Sequence, residues 1–221
     1  MKIDGIIILN KPTGMNSMKA VKKVQQMLNA DKAGHLGTLD PLGSGVLPIA
    51  LGKATKLFEQ HLKDRKIYRT VFKFGFLTDT LDSEGEVLKQ EEIEITEKQV
   101  ADATKLFVGR QNQMPPKYSA KKIKGKKAYE LARADVNFEL KPKEIEIFRF
   151  DFIEMLEKNT FLFEIECSSG TYIRSCCRDL AESLNTCATM VAIIRLQSGK
   201  YKIEDSIVLD EVSLSNVLAI D

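Results

Sequence analysis

Apolar positions recur along the chain with two different periods, and the switches between them delimit its elements. Ile3 to Leu9 is a β-rich apolar run that stops at Asn10-Lys11-Pro12-Thr13-Gly14, a dense turn signal, and is expected to be a strand. After Asn16, which suits an N-cap, Ala20, Val21, Val24, Met27 and Leu28 fall at helical spacing while Lys19, Lys22 and Lys23 fall elsewhere. That pattern predicts an amphipathic helix with a basic face. Gly34 to Gly45 holds four glycines and a proline and reads as irregular, and Val46 to Leu51 reads as a buried strand. Tyr68, Phe72, Phe74 and Phe76 alternate with Arg69, Lys73 and Gly75, the period of a half-buried strand that Tyr68 begins.

In the second half, Thr96-x-x-Gln99 forms a capping box ahead of Val100, Ala103, Leu106 and Phe107, predicting a helix of about three turns. Residues 109–127, with Pro115-Pro116 and many lysines, read as a long loop leading into a short helix near Ala128 to Ala132. Ile145 to Phe152 and Phe161 to Cys167 predict two strands joined at Glu157-Lys158-Asn159. Gly170 and Thr171 open a helix on which Ile173, Cys177, Leu180 and Leu184 share a face. Met190 to Leu196, Tyr201 to Ile203 and a short helix near Leu209 to Leu218 complete the pattern, which has no repeat or linker. The whole predicts a single α+β domain rich in antiparallel strands, within what 221 residues can build.

Charge changes the picture through its distribution, since the formal total is only +2. Residues 82–102 carry eight acids against two lysines, a local −6, whereas residues 110–133 carry eight bases against Glu130, a local +7. Residues 52–73 add a further +5. A lysine-rich segment with Tyr118 and Tyr129 interleaved suits a phosphate backbone with exposed bases, through counterion release and stacking.

Candidate chemistry concentrates in Gly34-His35-Leu36-Gly37-Thr38-Leu39-Asp40-Pro41-Leu42-Gly43-Ser44-Gly45. The glycines let the backbone approach a ligand closely, and one histidine, one hydroxyl and one carboxylate lie within six residues. Asp-Pro is also a common way to start a turn. A phosphate-binding P-loop ending at Gly52-Lys53 is excluded, because Leu47 and Ala54 stand where glycine and a hydroxyl residue are required. Cys167, Cys176, Cys177 and Cys187 show no Cys-x-x-Cys spacing, and with only His35 and His61 to join them no metal site is expected. Cys176 and Cys177 read as small apolar helix residues. Met1 to Gly5 lacks the apolar core of an export signal, so a cytoplasmic location with reduced thiols is expected.

Six blocks in order give the chain a resemblance to the TruB-type tRNA pseudouridine synthases. They are Leu9-Asn10-Lys11-Pro12-Thr13-Gly14, the stretch from Gly34 to Pro48, Lys66-Ile67-Tyr68-Arg69, and Gly75-x-x-Thr78-Asp79-Thr80-x-Asp82-x-x-Gly85. The last two run from Pro115-Pro116-x-x-Ser119-Ala120 through Lys122, Gly125 and Tyr129-Glu130 to Ala132-Arg133, and from Cys167-Ser168 through Gly170-Thr171-Tyr172-Ile173 to Arg174.

The resemblance implies the pseudouridine synthase fold, a mixed, largely antiparallel sheet with flanking helices and a central cleft. It also implies isomerisation of the T-loop uridine, position 55, of tRNA, with the base flipped out. Asp40 is then the catalytic carboxylate. It could attack the ribose C1′ or the pyrimidine C6, or assist deprotonation at C2′, and all three routes stay open. Arg174 matches the arginine partner of that carboxylate, Tyr68 the tyrosine that lies against the target base, and His35 and Tyr172 positions that contact the flipped nucleotide or its neighbours. Ile193 falls where an apolar residue closes over the base, and Lys11 lies in the Lys-Pro turn near the site. Lys117, Lys121, Lys122, Lys124 and Lys126 belong to an RNA-gripping insertion, about 109–133. No cofactor and no metal are required, the expected partner is the T arm of tRNA, and the chain is expected to act as a monomer away from membranes.

Gly43-Ser44 stands for the usual Ala-Thr, Ala181 for a glycine, and Ile194 for the first arginine of an Arg-Arg pair, leaving Arg195. Residues 1–221 are expected to be the catalytic domain without a C-terminal RNA-binding domain of the PUA kind. The competing expectation is an RNA-binding or RNA-folding protein that has lost catalysis.

Overall fold

The computed structural model describes residues 3–61, 63–119, 121–123, 125–134 and 136–220. In chain order the elements are β1 (Gly5–Lys11), α1 (Ser17–Met27), β2 (Ala33–His35), β3 (Ser44–Leu51), a 3-10 stretch (Gly52–Leu57) and α2 (Phe58–His61). There follow β4 (Lys66–Phe74), β5 (Phe76–Thr78), β6 (Val87–Gln90), α3 (Glu97–Lys105), β7 (Gly109–Gln113), β8 (Lys122–Ile123), β9 (Lys126–Lys127) and α4 (Ala128–Arg133). The last are β10 (Lys143–Glu157), β11 (Thr160–Cys167), α5 (Ile173–Ser183), β12 (Ala188–Ser198) and β13 (Tyr201–Lys202). Among the described residues a nine-stranded sheet has the order β1-β3-β12-β4-β11-β10-β7, with β2 beside β3 and β13 beside β12. The β3/β12 pair is parallel, and β1/β3, β2/β3, β7/β10 and β12/β13 are antiparallel. This is the α+β class expected. No helix among the described residues is long and apolar enough to cross a membrane.

The chain forms two compact units. One comprises Met1–Arg69, Glu166–Ser169 and Ile193–Asp221, the other Thr70–Ile165 and Gly170–Ala192.

In the first unit, β1 and β3 pair from Gly5↔Leu51 to Lys11↔Gly45. Ile6 and Ile8 therefore share a face with Val46 and Ala50, and cluster with Leu36, Ala54 and Tyr201. Ile7, Leu9, Leu47 and Ile49 are equally buried. Burial on both faces is why these strands are unbroken apolar runs and do not alternate. Each such side chain contributes about 1.5–3 kcal/mol. Helix α1 packs on β2 and β3 through Ala20, Val21 and Val24, and its start is fixed by the Asn16 side-chain oxygen accepting from Lys19 N at 2.7 Å. Met27, expected on the buried face, is 48% exposed because the helix ends there. Gly34 and His35, and Ser44 and Gly45, expected to be irregular, belong to β2 and to the start of β3, on either side of the loop. The expected helix near Leu209 to Leu218 is instead two 3-10 turns, Leu209–Glu211 and Leu214–Asn216, after which Leu218 bridges to Ile6.

The second unit is built on phenylalanines. Phe72 of β4 meets Phe163 of β11 at 4.8 Å between ring centroids and Phe150 of β10 edge-on at 6.4 Å. Such pairs add to their burial by quadrupole complementarity. The Thr96–Gln99 capping box is formed, and α3 buries Val100 and Ala103. Leu106, expected on the same face, follows the last helical turn and is exposed. Residues 109–113, expected as loop, form β7, paired with β10 from Lys143↔Gln113 to Ile147↔Gly109. Backbone pairing sustains this strand, which is why its polar sequence gives no alternation.

Candidate active site

The loop between β2 and β3 carries the half-buried Asp40 at the first position of the turn Asp40-Pro41-Leu42-Gly43, closed by Gly43 N donating to Asp40 O at 3.0 Å. The Lys11 ammonium, fully buried, donates to the carbonyls of Pro12, Met15 and Pro41 at 2.8, 2.6 and 3.4 Å. Gly14 N donates to Pro41 O. The Ser17 hydroxyl donates to Leu39 O at 2.7 Å and accepts from Leu39 N at 2.9 Å. Both backbone groups of the residue before Asp40 are thus tied to the start of α1.

The third tie is Arg195, the largest fully buried side chain among the described residues. Its Nε donates to Val46 O at 2.7 Å, and its terminal nitrogens donate to Thr38 O at 3.1 Å and Gly37 O at 3.2 Å. Three carbonyls, two from the loop and one from β3, converge on one planar fork, which an ammonium could not match. The approach demands Gly45: its φ is +97°, and a Cβ there would lie 2.3 Å from Arg195 O. Tyr68 lies beside Arg195, and burial raises the Tyr68 pKa against the opposing effect of that guanidinium, with Cys167 and Asp40 adding to the rise. The phenol therefore stays protonated near neutrality. His35 is lowered from its ordinary value, first by burial and then by Arg195, and its Nδ1 has no hydrogen-bond partner among the described residues. Asp40, Tyr68, His35 and Lys11, all proposed from sequence, are gathered in this unit, and so is Ile193, 9% exposed in β12.

Arg195 was not among the residues selected from sequence. Its signal is an arginine two positions after Ile193 in an otherwise apolar run, and hence on the same side of the strand.

In the second unit Arg174, 6% exposed at the start of α5, donates to Thr80 O and Tyr118 O, each at 3.0 Å, and lies 3.4 Å from the Asp82 carboxylate. Asp82 in turn accepts from the Thr80 hydroxyl at 2.7 Å and from Glu84 N at 3.1 Å. The Thr78-Asp79-Thr80-x-Asp82 block is therefore a pedestal for the arginine. Tyr172 caps α5, with its backbone N and O bonded to the Gln113 carboxamide at 2.8 and 3.1 Å.

The basic segment forms the hairpin β8/β9, paired Lys122↔Lys127 and Ile123↔Lys126, followed by α4. Lys117 and Lys126 are exposed, and Lys121 donates to Lys141 O at 2.7 Å. Lys124 lies outside the described residues. The Tyr129 ring has Lys127 at 5.4 Å and Arg133 at 5.7 Å, so it is flanked by cations. The Asp79 carboxylate beside Tyr118 raises the pKa of its hydroxyl. Lys117, Tyr118 and Arg178 line a cavity of about 700 Å³ within this unit.

Residues 25–173 match the model of the TruB family pseudouridylate synthase N-terminal domain. A tRNA pseudouridine synthase B of Clostridium kluyveri is 41% identical over 98% of this chain and 74% of its own length. That of Alkaliphilus oremlandii is 40% identical over 97% of this chain and 72% of its own. Among solved structures, a Cbf5-Nop10-Gar1 complex is similar at a TM-score of 0.74 and 29% identity, covering 94% of this chain and 53% of that one. The chain thus spans about half of the Cbf5 chain and about three quarters of the curated relatives. With the Asp40 loop inside the matched residues and the relatives aligned over nearly the whole chain, the chain belongs to the TruB family of pseudouridylate synthases and is an isomerase that makes pseudouridine from uridine.

Proposed function

We propose that the substrate is the T-loop uridine, position 55, of tRNA, and that Asp40 is the catalytic carboxylate. What carries this reading is the way the loop around the half-buried Asp40 is clamped by Lys11, Ser17 and Arg195. Such preorganisation suits a nucleophile that must meet one reacting atom. In the reaction the C1′ to N1 bond breaks, the uracil turns, and a C1′ to C5 bond forms. The C5 hydrogen leaves to solvent and N1 takes up a proton, so atoms and electrons balance without a cofactor. Tyr68 offers its aromatic ring to the uracil taken out of the stack. His35, Tyr172, Arg174 and Ile193 bind the target nucleotide or its neighbours, and Lys11 acts through the turn it holds. Lys117, Lys121, Lys122, Lys124 and Lys126 meet phosphates of the T arm.

The test is tritium release from a tRNA transcript labelled at C5 of every uridine. One equivalent per tRNA is expected, and none from a transcript with cytidine at the T-loop position. Release from the cytidine transcript would overturn the substrate assignment.

A further inference from the structure

The basic face of α1 has no use in the fold. Lys19, Lys22 and Lys23 are exposed, at the i, i+3, i+4 spacing that places them on one side of a helix. Ser17–Met27 contains no acidic residue, and none of the three lysines has an ion-pair partner among the described residues. Some exposed lysines elsewhere are matched, Lys53 with Asp4, Lys89 with Glu91, and Lys98 and Lys105 with Asp102, but the α1 lysines are three unmatched cations on one helical face. Lys19 and Lys23, one turn apart, repel each other, and Lys19 lies in the first turn, where the helix dipole disfavours a cation. The arrangement therefore works against α1 and has no acidic compensation among the described residues.

Its position is anchored to the reacting centre. Ser17, the first residue of α1, bonds both backbone groups of Leu39, and Lys11 and Gly14 fix the preceding turn to Pro41. At about 1.5 Å per residue, the three lysines begin about 3 Å along the helix axis from Ser17 and end about 9 Å along it. Met18, 51% exposed, flanks them with a polarisable apolar side chain suited to a ribose or base edge.

From these observations we infer that the exposed face of α1 is a second RNA-contact surface, separate from the β8/β9 hairpin, on which Lys19, Lys22 and Lys23 neutralise phosphates of the strand entering the Asp40 loop. The inference rests on the tRNA reading above and adds to it a surface in the unit that carries Asp40.

The experiment measures tRNA affinity between 0.05 and about 0.3 M salt, a range in which counterion release dominates, for wild type, the Lys19→Ala/Lys22→Ala/Lys23→Ala variant and its Lys→Arg counterpart. A Lys89→Ala/Lys98→Ala/Lys105→Ala variant serves as the charge-matched control. The α1 alanine variant is expected to bind about 10- to 100-fold more weakly at about 0.1 M salt, with the slope of log K against log salt shallower by about 2 to 3. The arginine variant should restore both, and the control should keep the wild-type slope. A wild-type slope in the α1 alanine variant, or an equal loss in the control, would overturn the inference while leaving the tRNA reading intact. A wild-type protein that binds no tRNA would overturn the reading itself, and the inference with it.

Discussion

Replacing Arg195 with methionine keeps the aliphatic stem and removes every donor. It leaves the carbonyls of Val46, Thr38 and Gly37, bonded at 2.7, 3.1 and 3.2 Å, without their partner. Buried acceptors stripped of a partner cost about 1–3 kcal/mol each, and relief from burying the guanidinium returns several kcal/mol. The net is a destabilisation of about 2–4 kcal/mol. With a urea dependence of about 2 kcal/mol per molar, the unfolding midpoint should fall by about 1–2 M. Activity should fall further than stability implies, because a shift of about 1 Å in the Asp40 loop costs about 100-fold in rate. Arg195→Lys should resemble the methionine variant, since one ammonium cannot serve three carbonyls in one plane. The assay is urea unfolding beside single-turnover pseudouridine formation at saturating tRNA. A methionine variant with the wild-type midpoint, and a rate within twofold of wild type, would refute the clamp.

Gly45→Ala should destabilise by about 2 kcal/mol or more, since it combines a φ of +97° with a Cβ 2.3 Å from Arg195 O. Urea unfolding checks this, and an unchanged midpoint would mean that β3 and β12 separate there at no cost. His35 is lowered from its ordinary 6.5 by burial and by Arg195. The unfolded chain therefore takes up the proton first, and stability is lost as pH falls from 6.5 through the lower folded value. Thermal midpoints of wild type should decline more steeply than those of His35→Gln between about pH 7 and 5, and parallel curves would remove His35 as the cause.

What the sequence made legible follows physical range. The Asn16 cap and the Thr96–Gln99 box are local, three residues apart, and both form. The glycines around Asp40 announced close approach, and Gly45 accepts a carbonyl 150 residues away in the chain where no side chain fits. The β7 strand was missed because Gly109–Gln113 is held by register with β10 and not by apolar burial. Met27 and Leu106 were misassigned for one reason: each continues an apolar spacing at the point where its helix ends. Leu209 to Leu218 shows helical spacing, but Ser213 and Asn216 bond each other into a 3-10 turn. Arg195 looked like the remnant of an arginine pair. Only the convergence of Gly37, Thr38 and Val46 shows why a full charge is buried there.

The catalytic role proposed for Asp40 stands or falls on the hydrogen at C5 of the target uridine. Tritium release from C5 of the T-loop uridine, compared between wild type and Asp40→Asn with tRNA affinity measured on both, tests it directly. Release by wild type alone is expected, with both proteins binding tRNA. Release by Asp40→Asn at the wild-type rate would contradict it.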